Sequence, residues 1–111
     1  MKEKLSTSIT GDQLLLILAA LSNPHRLRIV AALAQDGRNY ISQLARELGI
    51  SRPLLHLHLH KLEEAGLVRS EHELSSDGKA LNFFEVTPFA IALTPAAIAA
   101  AVPTLQSNPE S

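Results

Sequence analysis

The sequence predicts a mainly α fold with a small β-hairpin, in the order α-α-α-α-β-β-α. Three observations carry that prediction. Apolar residues recur at helical spacing over four stretches between residues 12 and 65. The third and fourth stretches are separated only by the short turn Gly49-Ile50-Ser51. Beyond Gly66 the period changes, and Asp77-Gly78 lies between two runs rich in strand-forming residues, the signal of a tight hairpin.

The first helix begins near Asp12, where Thr10 or Asp12 supplies an oxygen for the free first-turn amides. Residues 1–11 read as a flexible terminus. From Gln13 to Leu21 the helix is almost wholly apolar. A helix apolar on every side must be covered on every side, which a domain this small can hardly do alone unless this is the central core helix of a monomer. A partner subunit is the simplest second cover. Ser22-Asn23-Pro24 ends this helix, because residues before proline avoid the helical region. Asn23 then caps a second helix with Pro24 at its first position. Leu27, Val30, Ala31 and Ala34 fall at helical spacing along it, and Asp36-Gly37 stops it.

A third helix runs from Ser42, its expected cap, to Leu48, with Leu44, Ala45 and Leu48 as its core face. Gly49 closes it at the left-handed position that glycine tolerates. Ser51 caps the fourth helix, Arg52 to Ala65, and Gly66 closes that one. Two short helices across a three-residue turn make a helix-turn-helix, and a hairpin following them (Arg69 to Leu74, then Lys79 to Val86) is a wing. The domain so defined, a winged helix-turn-helix, spans residues 12–87. Residues 88–105 read as a C-terminal dimerisation segment and 106–111 as a flexible tail. Pro88 interrupts the chain, and Phe89 to Leu93 alternates in a way that fits strand or helix. Thr94-Pro95 starts a last helix that Pro103 ends. The stretch from Val86 to Asn108 carries no charge, but it holds three prolines and is rich in alanine, so it packs on the first helix or on that helix's copy rather than spanning a membrane.

Composition narrows function. With 46% hydrophobic and 19% charged residues among 111, the chain makes one globular domain. Without cysteine it has no disulfide framework, thiolate metal site or cysteine nucleophile. A net charge of -1 excludes a strongly basic coat. Between Arg26 and Arg69, however, seven Lys/Arg face four acids, a local balance of +3 in the helix-turn-helix half. The polar start MKEKLSTSITGD lacks the features of a secretory signal, so a cytoplasmic protein is expected. No phosphate loop, nucleophile elbow, HExxH or carboxylate pair is present, and no catalysis is expected.

ALSNPHRLRIVAAL followed by ISQLARELGISRPLLHLHLHKLEEAGLV resembles the ArsR-type winged-helix repressors. The likeness rests on Asn23-Pro24-His25-Arg26, on Ala45 to Gly49, and on Ser51 to Val68, and covers about residues 12–87. It implies a homodimer binding an inverted-repeat operator, with the outer helices at the dimer interface and repression relieved by a small-molecule effector. Leu14, Ile17, Leu18, Leu21, Ile98 and Val102 are the expected interface residues, from this likeness and the apolar pattern. Two departures stand out. The family's metal sensors use cysteines in the third helix or His and acidic pairs in the last. This chain has neither, so no metal or cofactor is expected. The wing carries Glu71, Glu73 and Asp77 against Lys79, which argues against contact between the wing and a minor groove.

At 100° per residue, Leu55, Leu59 and Leu62 form the core stripe of the fourth helix. Pro53, Leu57, His60 and Lys61 lie opposite, flanked by Leu54 and His56, on the side that would enter a major groove. Ser51, Arg52 and Pro53 are nearest the base edges, and Arg52 suits a guanine or a phosphate. His56 and His60 suit phosphate or base acceptors, more so when protonated. Leu54 and Leu57 suit thymine methyls. Ser42 and Gln43 at the start of the third helix, with Arg38, Lys61 and Lys79, are phosphate candidates. His58 falls at the core margin, where a backbone hydrogen bond is expected. Arg26 and Arg28 are expected in structural ion pairs. His56 and His60 share one helix face, but two ligands are too few for a structural zinc site. The acidic wing and exposed leucines also fit a protein-interaction module with weak or no DNA binding.

Overall fold

The computed structural model describes residues 9–106. Its elements are α1 (Gly11–Leu21), α2 (Pro24–Asp36), β1 (Asn39–Tyr40), α3 (Ile41–Leu48), α4 (Arg52–Glu64), β2 (Val68–Leu74), β3 (Ala80–Val86) and α5 (Pro95–Ala101), followed by a 3-10 turn over Val102–Thr104. The fold class is the expected one, with one addition. Asn39-Tyr40 forms a strand that pairs with Phe84 and Phe83, so the wing becomes a three-stranded antiparallel sheet in the order β1-β3-β2. A two-residue strand is too short to produce a period in the sequence.

Local chemistry sets the helix starts. The Thr10 hydroxyl accepts from the Gln13 amide while Gln13 Oε1 accepts from the Thr10 amide, both at 3.1 Å, a complete capping box. Asn23 Oδ1 accepts from the amides of His25 (2.9 Å) and Arg26 (3.2 Å). Ser51 Oγ accepts from the Leu54 amide at 3.3 Å. The third helix departs from expectation: it starts at Ile41, so Ser42 lies inside it, and Tyr40 at the cap makes no side-chain bond. Pairing of Tyr40 in the sheet fixes where this helix starts. Gly49 ends it at φ 70, donating to the carbonyls of Ala45 and Arg46.

The core is built from Ile29 and Leu33 of α2, Leu44 of α3, Leu55, Leu59 and Leu62 of α4, and Leu67, Val68 and Phe84 around the sheet. Leu48 is only half-buried at its edge. The expected face of α2 is corrected. Leu27 is 54% exposed, Ala31 and Ala34 are exposed and Val30 is half-buried, while Ile29 and Leu33 point inward. The run AALA makes that helix apolar on most sides, so spacing alone does not select a face.

α1 and α2 meet at 94°, and no single described helix is long and apolar enough to cross a membrane. Residues 87–94 form neither strand nor helix. α5 follows, capped by Thr94, and the chain continues through Pro103 in the 3-10 turn, which overruns the expected stop. This C-terminal segment lies on the start of α1. The Gly11 amide donates to Thr104 Oγ1 at 2.8 Å, and the Gln106 amide to Asp12 Oδ2 at 3.0 Å. The approach is close enough that a Cβ on Gly11 would fall 2.5 Å from Leu105 Cδ2 and 2.9 Å from the Ala101 oxygen. Of the terminus expected over 1–11, Ile9 packs on the core and Gly11 begins α1. The rest of that expectation, and residues 107–111 of the tail, lie outside the described residues.

Candidate nucleic-acid interface

The turn at Gly49-Ile50-Ser51 delivers α4 across α3 with Leu55, His58, Leu59 and Leu62 buried. The opposite side is open: Arg52, Pro53, Leu54, His56, Leu57, His60 and Lys61 are all exposed, Leu57 at 53%. The helical phase read from the sequence is therefore the phase of the structure. At its start, α4 borders an open groove of about 600 Å³ lined by Tyr40, Ile41, Ser42, Arg52, His56, Ala80, Leu81 and Asn82. Three candidates from two elements, Ser42 of α3 and Arg52 and His56 of α4, meet there. Among the described residues no carboxylate lines the groove, and its polar groups are hydroxyl, amide, imidazole and guanidinium, a set that suits a polyanion.

Tyr40 and Asn82 were not singled out in the sequence. Asn82 is a lone polar residue within the run Leu81 to Phe84, and its exposure beside two apolar neighbours is the only signal it offers. Gln43 is exposed, but its Nε2 donates to Glu47 at 3.1 Å. Lys79 is exposed beside the hairpin turn, where the Ser75 hydroxyl donates to Asp77. That bond, with the Lys79 amide, holds the Asp77 carboxyl below the usual carboxylate range.

Several expected free charges are engaged. Arg38 lies 3.9 Å from Glu71 and 3.7 Å from Glu73, the two carboxylates of the wing. His60 Nε2 stands 3.0 Å from Glu64, one turn along α4. Arg52, Lys61 and Lys79 make no ion pair with a described residue. Arg26 and Arg28 likewise make none with a described residue. Arg26 instead donates from Nε to Nδ1 of His58 at 3.1 Å, and its Nη1 reaches the carbonyls of Ala19 and Ala20, each at 3.4 Å. The partner of His58 is thus a side chain, not the expected backbone group. Burial first, then the charges of Arg26 and His25, hold the His58 pKa below its ordinary value.

The expected interface residues divide. Leu14 and Ile17 are buried in the protomer's own core, leaving little for a partner, and Leu21 is half-buried. Leu18, Ile98 and Val102 are exposed, as are Leu15 and Leu16.

Comparison with known proteins agrees with this geometry. The family model described as a helix-turn-helix domain matches residues 21–71. An uncharacterised HTH-type transcriptional regulator of Methanocaldococcus jannaschii, MJ0229, is 50% identical over 52 residues. That match covers 47% of this chain, and the chain spans about half (54%) of the relative's length. Among solved structures, the homodimeric winged helix-turn-helix DNA-binding domain of Mb0332 from Mycobacterium bovis, a possible ArsR-family transcriptional regulator, is 27% identical with a TM-score of 0.56. The alignment covers 68% of this chain and 64% of that one. The transcriptional repressor BigR from Xylella fastidiosa is 25% identical with a TM-score of 0.58, covering 83% and 80%. The chain is therefore a winged helix-turn-helix protein, a fold of transcriptional regulators. Within that class it is similar to the ArsR-family regulators.

Proposed function

We propose that this protein is a sequence-specific double-stranded DNA-binding transcriptional regulator, acting as a homodimeric repressor in the cytoplasm. In this reading α4 enters the major groove, and the dimer reads an inverted repeat with half-sites about one turn, roughly 10 base pairs, apart. The observation that carries the reading is the outward face of α4, with Arg52 and Lys61 unpaired among the described residues, opening onto a groove without carboxylates. Arg52 and His56 reach base edges or phosphates, Ser42 and Asn82 accompany the backbone, and Leu54 and Leu57 meet thymine methyls. Residues 12–87 supply the reading head.

Dimerisation falls to α1 and residues 88–105, through Leu18, Ile98 and Val102 together with Leu15 and Leu16. These are large apolar side chains left exposed on one protomer, a surface that favours self-association. The homodimeric state of the Mb0332 domain supports this arrangement, and the repressor BigR supports the repressor reading. A small-molecule effector relieves binding. No enzymatic step, metal ion or membrane enters the account.

Titration of purified protein into mixed-sequence duplex DNA at two salt concentrations tests the reading, with His60→Ala/Lys61→Ala as the comparison. DNA binding that weakens in the double variant and falls steeply with salt supports it. Unchanged DNA affinity in the variant, with no salt dependence, would favour a protein-interaction module instead.

A further inference from the structure

The contact between Arg26 and His58 joins three helices through one side chain. Arg26 extends from α2. Its Nη1 faces the carbonyls of Ala19 and Ala20 at the C-terminal end of α1, where a cation is favoured by the helix dipole. Its Nε donates to Nδ1 of His58 on α4. His58 is only 6% exposed, on the side of α4 away from His56 and His60, with Lys61 one turn further along. We infer that Arg26 is a positioning residue that holds α4 in its reading orientation through His58, and that protonation of His58 releases the hold and weakens DNA binding at mildly acid pH. This inference rests on the DNA-binding reading above and adds its regulation.

The chemistry of the contact gives the sign. An imidazole that accepts at Nδ1 is neutral and carries its proton on Nε2. A second proton on Nδ1 turns the acceptor into a donor facing a donor, and places a positive charge against a guanidinium. The surroundings offer no relief. The groups that bear on His58 are Arg26 and His25, both from α2, with the His25 ring centroid 5.3 Å away. α1 contributes the carbonyls of Ala19 and Ala20, and its acid Asp12 accepts from the Gln106 amide at the other end of the helix. On α4 itself Lys61 is exposed, Glu63 accepts from Ser70, and Glu64 is taken by His60. From α3 and β2, Arg46, Glu47, Arg69, Glu71, His72 and Glu73 make no hydrogen bond or ion pair with His58. A group held neutral in the fold binds more protons when unfolded, so its stabilising effect is complete above the ordinary histidine value, about 6.5, and is lost as the pH falls through the lower folded value.

Three measurements on the full chain test the inference. Ring nitrogen NMR of the wild type without DNA is expected to show His58 unprotonated at Nδ1 and titrating below the ordinary value. The melting temperature is expected to fall as the pH is lowered from about 6.5. Affinity for a fluorescent duplex enriched from a random pool is expected to fall over that range, by at most tenfold per pH unit for one linked proton. His58→Asn keeps an acceptor where Nδ1 stood and removes the titration. Its affinity is expected to lose the fall with acid seen in the wild type. Should that variant fail to fold, Arg26→Lys keeps the charge but lacks the Nε donor, and is expected to bind more weakly at neutral pH. Titration of His58 at or above the ordinary value, or parallel pH profiles in wild type and His58→Asn, would overturn the inference. No DNA binding at any pH with an intact ring titration would sink the DNA-binding reading and leave the contact standing.

Discussion

The guanidinium of Arg38 lies over the ring of Phe83, 3.9 Å from its centroid, with the carboxylates of Glu71 and Glu73 within 4 Å on the neighbouring strand. A cation stacked on an aromatic face and flanked by two acids is held by the wing, and its charge is largely cancelled there. Arg38→Ala is therefore expected to change DNA affinity by less than about twofold and to leave the salt slope unaltered, because the guanidinium faces Glu71 and Glu73 rather than a phosphate. Glu71→Gln/Glu73→Gln has the opposite consequence. It frees Arg38 and removes two negative charges near a polyanion, and tighter DNA binding at low salt is expected. Fluorescence anisotropy across a salt series reads both variants.

Arg52 borders the groove and Lys61 lies further along α4, both unpaired among the described residues. Arg52→Ala is expected to cost about 1–3 kcal/mol of DNA binding and to relax the preference at one base position. Lys61→Ala is expected to weaken binding to all sequences alike and to lower the salt slope by about 1. Parallel titrations against matched and mismatched duplexes separate the two.

Leu18 and Val102 are exposed where Leu14 and Ile17 are buried in the protomer core. Leu18→Glu and Val102→Glu are expected to yield folded monomers in sedimentation velocity, with operator binding reduced more than tenfold because one half-site alone remains. Ile17→Ala tests the division from the other side. It opens a core cavity and is expected to lower stability by about 2–4 kcal/mol in chemical denaturation.

Gly11 touches the C-terminal segment closely, with Leu105 and the Ala101 carbonyl in the space a methyl group would need. The Leu105 side chain can shift, whereas the Ala101 carbonyl is backbone. Gly11→Ala is therefore expected to lift residues 101–106 off α1, lowering the melting temperature and exposing that segment to protease. Limited proteolysis with mass mapping of the first cut reads the effect.

The helix-turn-helix was legible in the sequence because strong local signals coincide there. Gly49 and Ser51 punctuate the turn, and Leu55, Leu59 and Leu62 share a face that few other residues contest. The phase of α2 was not legible, since alanines spread its apolar surface, and Arg26 reaching His58 is a tertiary contact between residues 32 apart. The short strand at Asn39-Tyr40 exists only because β3 is there to pair with it. The same strand moved the start of α3 and removed Ser42 from its expected cap. The pairing of Arg38 with the wing depends on sheet geometry, so a residue read as free for phosphate proved to be engaged.

Reading of DNA by α4 as part of a dimer is put to the test by selection of purified protein on a random duplex pool of roughly 30 base pairs, at two salt concentrations. Enrichment of an inverted repeat with half-site centres about one helical turn apart is expected, with a steep loss of binding at higher salt. Enrichment of no sequence at either salt, or of a single unrepeated site, would contradict it.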